Sequence, residues 1–375
     1  MGSGPSNAEP RVLQAMAAAA LAGDDPAYPM LLADIDTLGQ HVFQARGGRS
    51  LAVPGASRSG LEAVLASLVE PSQRVVVGVY GHFGELLCTL AARHGATVER
   101  VDAEWGRPVD VGEFAARVRA NPPRLAAIVH ADTSTGVLQP LDAIAAACRE
   151  TGTLLLVDAV LSIGGCEVDA AGWGIDAVVG GLQKCLGGPP GLALLALSPH
   201  AQTALRQARE GPRQTAYLDL SRIAESHETS TPMLMAAREA LRMVCDEGLA
   251  DRWRRHARAS RALRSGIDAM QLQRFGDRQH QVPMITLVEV PSGVDETGVR
   301  SQLLEEHGVE IMAAFGPLRG RVWRIGTMGT NACLPSVLTA LSALETVLAA
   351  HGFGLSRGAG VDAARQAWID WPPAA

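Results

Sequence analysis

Val178-Val179-Gly180-Gly181-Leu182-Gln183-Lys184-Cys185-Leu186-Gly187-Gly188-Pro189-Pro190-Gly191 carries the one lysine of a 375-residue chain. Every other member of the Lys+Arg total of 33 is arginine. Arginine serves nearly every structural use of a cation but does not give up its proton in a protein. An amine can be nucleophile and base in turn, and it forms a Schiff base with an aldehyde. Lys184 follows an apolar run and two glycines and precedes a Gly/Pro-rich turn, a setting unlike the solvated helix face where a stray lysine usually sits.

The apolar run before Lys184 is one of a series. Stretches 74–80, 97–101, 124–130, 153–158, 175–180 and 192–197 are rich in Val, Ile and Leu without alternation, as expected of strands covered on both faces. Helical patterns over 83–94, 110–120 and 140–151 separate several of them. Repeated β-α-β predicts an α/β fold with a mostly parallel sheet between helices. Ligands of such sheets sit beyond the carboxyl ends of the strands, so the chemistry is expected in the turns there.

From about Pro232 the pattern changes. Helices over 232–248 and 249–270 lead to an apolar stretch at 282–290, a helix over 294–307, a strand through 321–327 and a helix over 334–351. This reads as a smaller α+β unit. The expected division is an arm at 1–20, a large domain at 21–248, a small domain at 249–355, and a Gly/Pro/Ala-rich, partly ordered tail at 356–375. No internal repeat is visible.

Bulk properties exclude several classes. At 39.3 kDa the chain has room for two cores. A net charge of −6 and a pI near 5.9 give no basic footprint for nucleic acid or an anionic membrane. Arg252-Trp253-Arg254-Arg255-His256-Ala257-Arg258 reads as the polar face of a helix. The 6 cysteines are dispersed without a CxxC pair, which fits a reducing compartment and argues against zinc. Charges, Gly or Pro interrupt each apolar run before membrane-span length, and no secretory leader is evident. The expectation is a soluble cytoplasmic protein without metal.

Other strand ends hold groups that gain meaning beside an aldehyde-binding lysine. Asp158 ends the strand before that of Lys184; it could cap a turn, or hold a proton on the nitrogen of a pyridine ring. In Gly55-Ala56-Ser57-Arg58-Ser59-Gly60-Leu61-Glu62 a strand turns into a helix through small residues, leaving backbone N–H groups at the positive helix end. It is not a P-loop, because Leu61-Glu62 stands where Lys-Ser/Thr should follow. Asp132-Thr133-Ser134-Thr135-Gly136 is a hydroxyl-rich turn, and Tyr80 could lie against a flat ring or in the core. Arg324 could face solvent or grip a carboxylate.

With these motifs together, the chain resembles the class V, fold-type I pyridoxal-phosphate (PLP)-dependent aminotransferases, in the alanine/serine–glyoxylate group. The resemblance spans nearly the whole length. It rests on Gly55-Ala56-Ser57-Arg58-Ser59-Gly60, Thr133-Ser134-Thr135-Gly136, the segment from Asp158 to Val168, Gln183-Lys184-Cys185-Leu186, Phe315-Gly316-Pro317-Leu318 and Trp323-Arg324-Ile325-Gly326-Thr327-Met328-Gly329. It implies a seven-stranded-type large domain and PLP linked to Lys184, with Asp158 on the ring nitrogen. Tyr80 is expected to stack on the ring with Val160 on the opposite face, and Thr133 to touch the ring hydroxyl. Ala56, Ser57, Arg58 and Gln183 are expected around the phosphate. Arg324 would hold the substrate carboxylate, and Asn7 would reach the substrate from the N-terminal arm. The family is dimeric with the site at the subunit interface. The implied reaction transfers an amino group to glyoxylate or another 2-oxo acid; ureidoglycine is the expected donor, in ureide catabolism, with alanine or serine as alternatives.

One departure concerns the segment where relatives carry His-His-Thr, reaching the neighbouring subunit's phosphate. Here it reads Ser226-His227-Glu228-Thr229, with Glu225 before it near the expected substrate pocket. A carboxylate near a phosphate is repulsive unless paired, so either Thr229 takes the contact or the cofactor is bound more weakly than in relatives. A cysteine desulfurase would need a nucleophilic Cys before the carboxylate-binding arginine; residues 315–321 contain none. No strand leads into G-x-G-x-x-G, against an NAD enzyme. A catalytically silent binding protein on the same fold is countered by the presence of both Lys184 and Asp158.

Overall fold

The computed structural model describes residues 1–208, 215–223 and 229–372. Its large sheet has seven strands: β1 (Arg49–Pro54), β2 (Arg74–Val79), β3 (Thr97–Asp102), β4 (Leu125–Val129), β5 (Leu154–Asp158), β6 (Ala177–Gly181) and β7 (Leu192–Leu197). They lie in the order β1-β7-β6-β5-β4-β2-β3. The run from β6 to β3 is parallel, while β7 is antiparallel to both β6 and β1. Because β7 alone is reversed, the carboxyl ends of the other six share one edge. Register brings Val129, Asp158 and Val179 side by side there.

Continuous apolar runs behave as expected of a sheet covered on both faces. Each residue of β4, β5, β6 and β7 is buried, whereas edge strand β3 is mostly not. Helices Ser57–Leu68, His82–Arg93, Val111–Ala120 and Asp142–Thr151 supply the crossovers. Gly60 lets the first of these lie close to the sheet: a Cβ there would stand 2.9 Å from Val179 Cγ1 and 3.0 Å from the Ala193 Cβ.

A second sheet, in the order β8-β10-β9, is antiparallel: β8 (Ile285–Glu289), β9 (Met312–Ala313) and β10 (Val322–Gly326). Helices Leu249–Ala269, Glu296–His307 and Leu334–Ala350 pack with it around a core that includes Trp323, Leu263 and Leu341. A smaller apolar cluster joins the two sheets, with Ala131, Leu161 and Cys185 against Met284, Leu287 and Met328.

Two expectations need correction. Within the presumed tail at 356–375, Ala359–Ile369 is a helix packed on Leu249–Ala269. Small residues permit the close crossing, since a Cβ on Gly266 would come within 2.7 Å of the Gly360 carbonyl oxygen. Arg258 then lies over the Trp368 ring at 4.2 Å and donates to the Trp368 carbonyl. The arginine-rich stretch 252–258 is likewise not a solvated face, because Arg252 and His256 are buried. Among the described residues no helix is long and apolar enough to cross a membrane.

Candidate active site

Five strand ends converge on a cavity of about 280 Å³. β6 runs into a five-residue π-type turn, Leu182–Leu186, whose middle residue Lys184 breaks the helical geometry. The break aims the side chain into the cavity, which Asp158 at the end of β5 also lines. Burial removes water from the ammonium, and the nearby Arg324 charge opposes it further, so the Lys184 pKa falls to about 8. Burial also raises the Asp158 carboxyl to about 7, opposed by a 3.0 Å hydrogen bond from the Val160 N–H and by the Lys184 charge. A cationic ring nitrogen reaching Asp158 would favour its ionised form.

β1 leads into the helix Ser57–Leu68, whose N-cap residue Ala56 offers no side-chain cap. Ala56, Ser57 and Arg58 line the cavity, and Gln183 Nε2 donates to Ser57 Oγ at 2.9 Å. This corner has the donors an anion requires: first-turn N–H groups, a hydroxyl, an amide and an exposed guanidinium. After β4, Ser134 bonds back to Asp132 through both its N–H and its hydroxyl at 2.6 Å. That closes the turn and leaves Thr133 at the cavity wall, its buried Oγ1 without a partner among the described residues. An unpaired buried hydroxyl is costly, and a ring hydroxyl would satisfy it. The site thus fits PLP at four points: amine, carboxylate, anion corner and unpaired hydroxyl.

Arg324 of β10 is only 3% exposed. Its Nε donates to the Ala313 carbonyl at 2.8 Å and its Nη1 to the Thr133 carbonyl at 3.3 Å, and the guanidinium lies 4.3 Å above the Phe315 ring. His82 stacks on Phe315 at 4.4 Å between centroids. Among the described residues Arg324 forms no salt bridge, and burial lowers its pKa to about 10. A buried guanidinium without a carboxylate partner is suited to a carboxylate brought by a ligand.

Other expected residues fall differently. Val160 lines the cavity as expected. Tyr80 does not; it is 1% exposed, and its hydroxyl donates to the Val129 carbonyl at 2.6 Å. The aromatic side chain at the cavity wall is Phe83, from the next helix. Asn7 is exposed, its carbonyl accepting from Thr330 Oγ1 at 3.3 Å. Thr229 is buried away from the cavity, its carbonyl accepting from the Tyr28 hydroxyl. Glu225 and Glu228 lie outside the described residues.

The first residues of the chain were not expected to touch the lysine. The Ser3 carbonyl accepts from Lys184 Nζ at 2.6 Å, and the Ser6 N–H and hydroxyl donate to the Gln183 and Lys184 carbonyls, each at 2.8 Å. Gly4 adopts a φ of +105°, and a Cβ there would collide with the lysine side chain. A Gly-Pro pair after a serine marks a turn in sequence but does not show where that turn lies.

The aminotransferase class-V family model matches residues 41–318. The chain is 39% identical to the (S)-ureidoglycine–glyoxylate transaminase of Bacillus subtilis (strain 168), over 97% of this chain and 94% of that protein. It is 33% identical to an alanine–glyoxylate aminotransferase of Drosophila melanogaster, over 95% and 93%. The crystal structure of ureidoglycine–glyoxylate aminotransferase from Bacillus subtilis superposes with a TM-score of 0.96 at 40% identity, covering 99% of this chain and 97% of that one. With the fold, the buried amine and the facing carboxylate, these similarities establish that the chain belongs to the class-V aminotransferases, enzymes that depend on pyridoxal phosphate.

Proposed function

We propose that this aminotransferase moves the amino group of (S)-ureidoglycine to glyoxylate or another 2-oxo acid, yielding oxalurate and glycine or the matching amino acid, in the cytoplasmic breakdown of purine-derived ureides. The observation that carries the reading is a single cavity lined by a depressed lysine and a buried carboxylate, with the buried Arg324 bonded to the carbonyl of Thr133 in the cavity wall, in a chain similar over its length to a ureidoglycine–glyoxylate transaminase. Bound PLP supplies an aldehyde for the donor amine and a protonated ring that takes up the electron pair left on Cα.

The protein residues do the rest. Lys184, neutral in a large fraction near pH 8, would hold the cofactor's aldehyde carbon, and its freed amine would take the donor Cα proton and deliver it to that carbon, across the intervening nitrogen. Asp158 holds the proton on the ring nitrogen. Phe83 and Val160 keep the ring between them and exclude water. Ala56, Ser57, Arg58 and Gln183 bind the phosphate, and Thr133 the ring hydroxyl. Arg324 orients donor and acceptor through their carboxylates. Asn7 acts from the N-terminal arm at the edge of the site, and Thr229 is the residue of its segment that would turn to a partner subunit's phosphate. An arm near 1–20, a large domain to about 248 and a smaller domain beyond it would assemble as a homodimer. Leu13 at 50% and Met30 at 68% exposure give the N-terminal helices an apolar surface to cover.

A half-reaction survey tests the substrate. The PLP form is mixed separately with freshly prepared ureidoglycine, alanine and serine while the cofactor absorbance is followed. Ureidoglycine should bleach the band fastest. If alanine or serine does so at least 100-fold more efficiently, the enzyme is an alanine/serine–glyoxylate type instead.

A further inference from the structure

The turn that carries Lys184 is held partly by its own closure and partly from outside. Backbone carbonyls need partners when buried, and here each from 182 to 187 has one. Gly188 N–H serves Leu182, Ser6 serves Gln183 and Lys184, and Glu9 N–H serves Gly187. The two carbonyls directly after the lysine, those of Cys185 and Leu186, both accept from Arg252 Nη2, at 2.7 and 3.3 Å.

Arg252 comes from the helix Leu249–Ala269, in the stretch that sequence alone assigns to a solvated face, yet it is 2% exposed. Its other terminal nitrogen, Nη1, meets Glu247 Oε2 at 2.5 Å. Glu247 is shared with Arg255, whose Nε and Nη2 lie 2.6 and 3.0 Å from the carboxylate. Arg255 Nη1 donates to the Gly329 carbonyl at 2.8 Å, and the Gly329 N–H donates to His256 Nε2 at 3.1 Å. His256 Nδ1 faces the Arg252 carbonyl at 2.8 Å. A carbonyl can only accept and an N–H can only donate, which fixes the neutral tautomer with its proton on Nδ1. Gly329 follows the strand of Arg324, so one helical turn grips both the segment bearing the lysine and the segment bearing the carboxylate-binding arginine.

We propose that Arg252, locked by Glu247, is a positioning residue that sets the direction of the Lys184 side chain and ties its turn to the Arg324 segment. The inference rests on the reading of Lys184 as the cofactor lysine. Arg252 touches neither cofactor nor substrate; it acts through the two carbonyls. A planar fork reaches a carboxylate on one prong and two carbonyls on the other. A lysine ammonium is a point charge on a flexible stem and does not hold that arrangement.

Lys184 is the one native lysine, and the amine that Arg252→Lys adds lies far along the chain, so the label is read on the Lys184 peptide alone. The full chain stripped of cofactor is acetylated competitively across pH, and the Lys184 peptide is quantified by mass spectrometry in wild type, Arg252→Met and Arg252→Lys. In parallel, the rate at which each captures added PLP at Lys184 is read by borohydride trapping at pH 7.5. Release of the turn lets water reach the amine, so the Lys184 titration should move up by at least about one pH unit and capture should slow by at least about tenfold. Arg252→Lys should fall between wild type and Arg252→Met. If a folded Arg252→Met chain keeps the wild-type titration and capture rate, Arg252 only packs helices and the proposal is overturned. If Arg252→Met does not fold, Arg252→Lys decides on the same two readings. Failure of the wild-type chain to trap PLP at Lys184 overturns the functional reading instead, so the two failures are distinct.

Discussion

Lys184 works because the protein makes its charge expensive. Burial is the first cause of its lowered pKa and the Arg324 charge the second, which brings it to about 8 from 10.5. A depressed amine is mostly neutral above that pH, and only the neutral form attacks an aldehyde. PLP capture by the cofactor-free chain should therefore rise with pH, reach half its plateau near pH 8 and flatten above about 9, measured by stopped-flow absorbance; a half-point near that of free lysine would contradict the burial argument. Arg324→Gln tests the other pole. Loss of a charged hydrogen-bonding partner costs about 1.5–3 kcal/mol, so KM for donor and acceptor should rise about 10- to 100-fold in steady-state assays, while PLP still links to Lys184 and the pH half-point of its capture moves up. The meeting of Lys184 and Asp158 at neighbouring strand ends is legible in sequence, whereas Arg324, equally consistent there with facing solvent, needs the fold to bury it beside the cavity. The sequence points to Tyr80, just after β2, where the structure puts Phe83, in the first turn of the following helix, at the cavity wall. Which of two neighbouring rings points under the sheet and which into the cavity depends on tertiary packing.

Elements with unambiguous patterns were also legible. The strands announce themselves because both faces are buried, and Asp158 and Lys184 follow from where two of them end. The helix Ala359–Ile369 was hidden by flanking glycines and prolines and by alanines, whose burial depends on the partner helix. Arg252 and His256 illustrate the same limit: an arginine-rich helix face looks solvated until a second element is laid over it. The helix Ser57–Leu68 yields a prediction at this scale. Gly60→Val would press a branched side chain against Val179 and Ala193. Overpacking costs about 1–3 kcal/mol, measurable as a lower urea midpoint of the cofactor-free chain. The shifted helix start should weaken binding of PLP more than that of phosphate-free pyridoxal, by fluorescence titration; equal weakening would remove the anion corner from Ser57–Leu68.

Across the whole molecule, the small unit closes the site that the large sheet opens. β10 brings Arg324 to the carbonyl of Thr133 in the cavity wall, the helix Leu249–Ala269 reaches the Lys184 turn, and the chain start threads past the lysine. The second, antiparallel sheet follows the change of pattern near Pro232, whereas the hydrogen bonds and the apolar cluster that join it to the large sheet leave no periodic trace. The central claim is that one amine, at the end of β6 and faced by the carboxylate of β5, carries the cofactor. The most direct measurement is borohydride reduction of the PLP-loaded protein followed by peptide mass spectrometry. The pyridoxyl mass should appear on the Lys184 peptide at close to one per chain; its absence there, or its appearance on the chain's α-amine instead, would contradict the account.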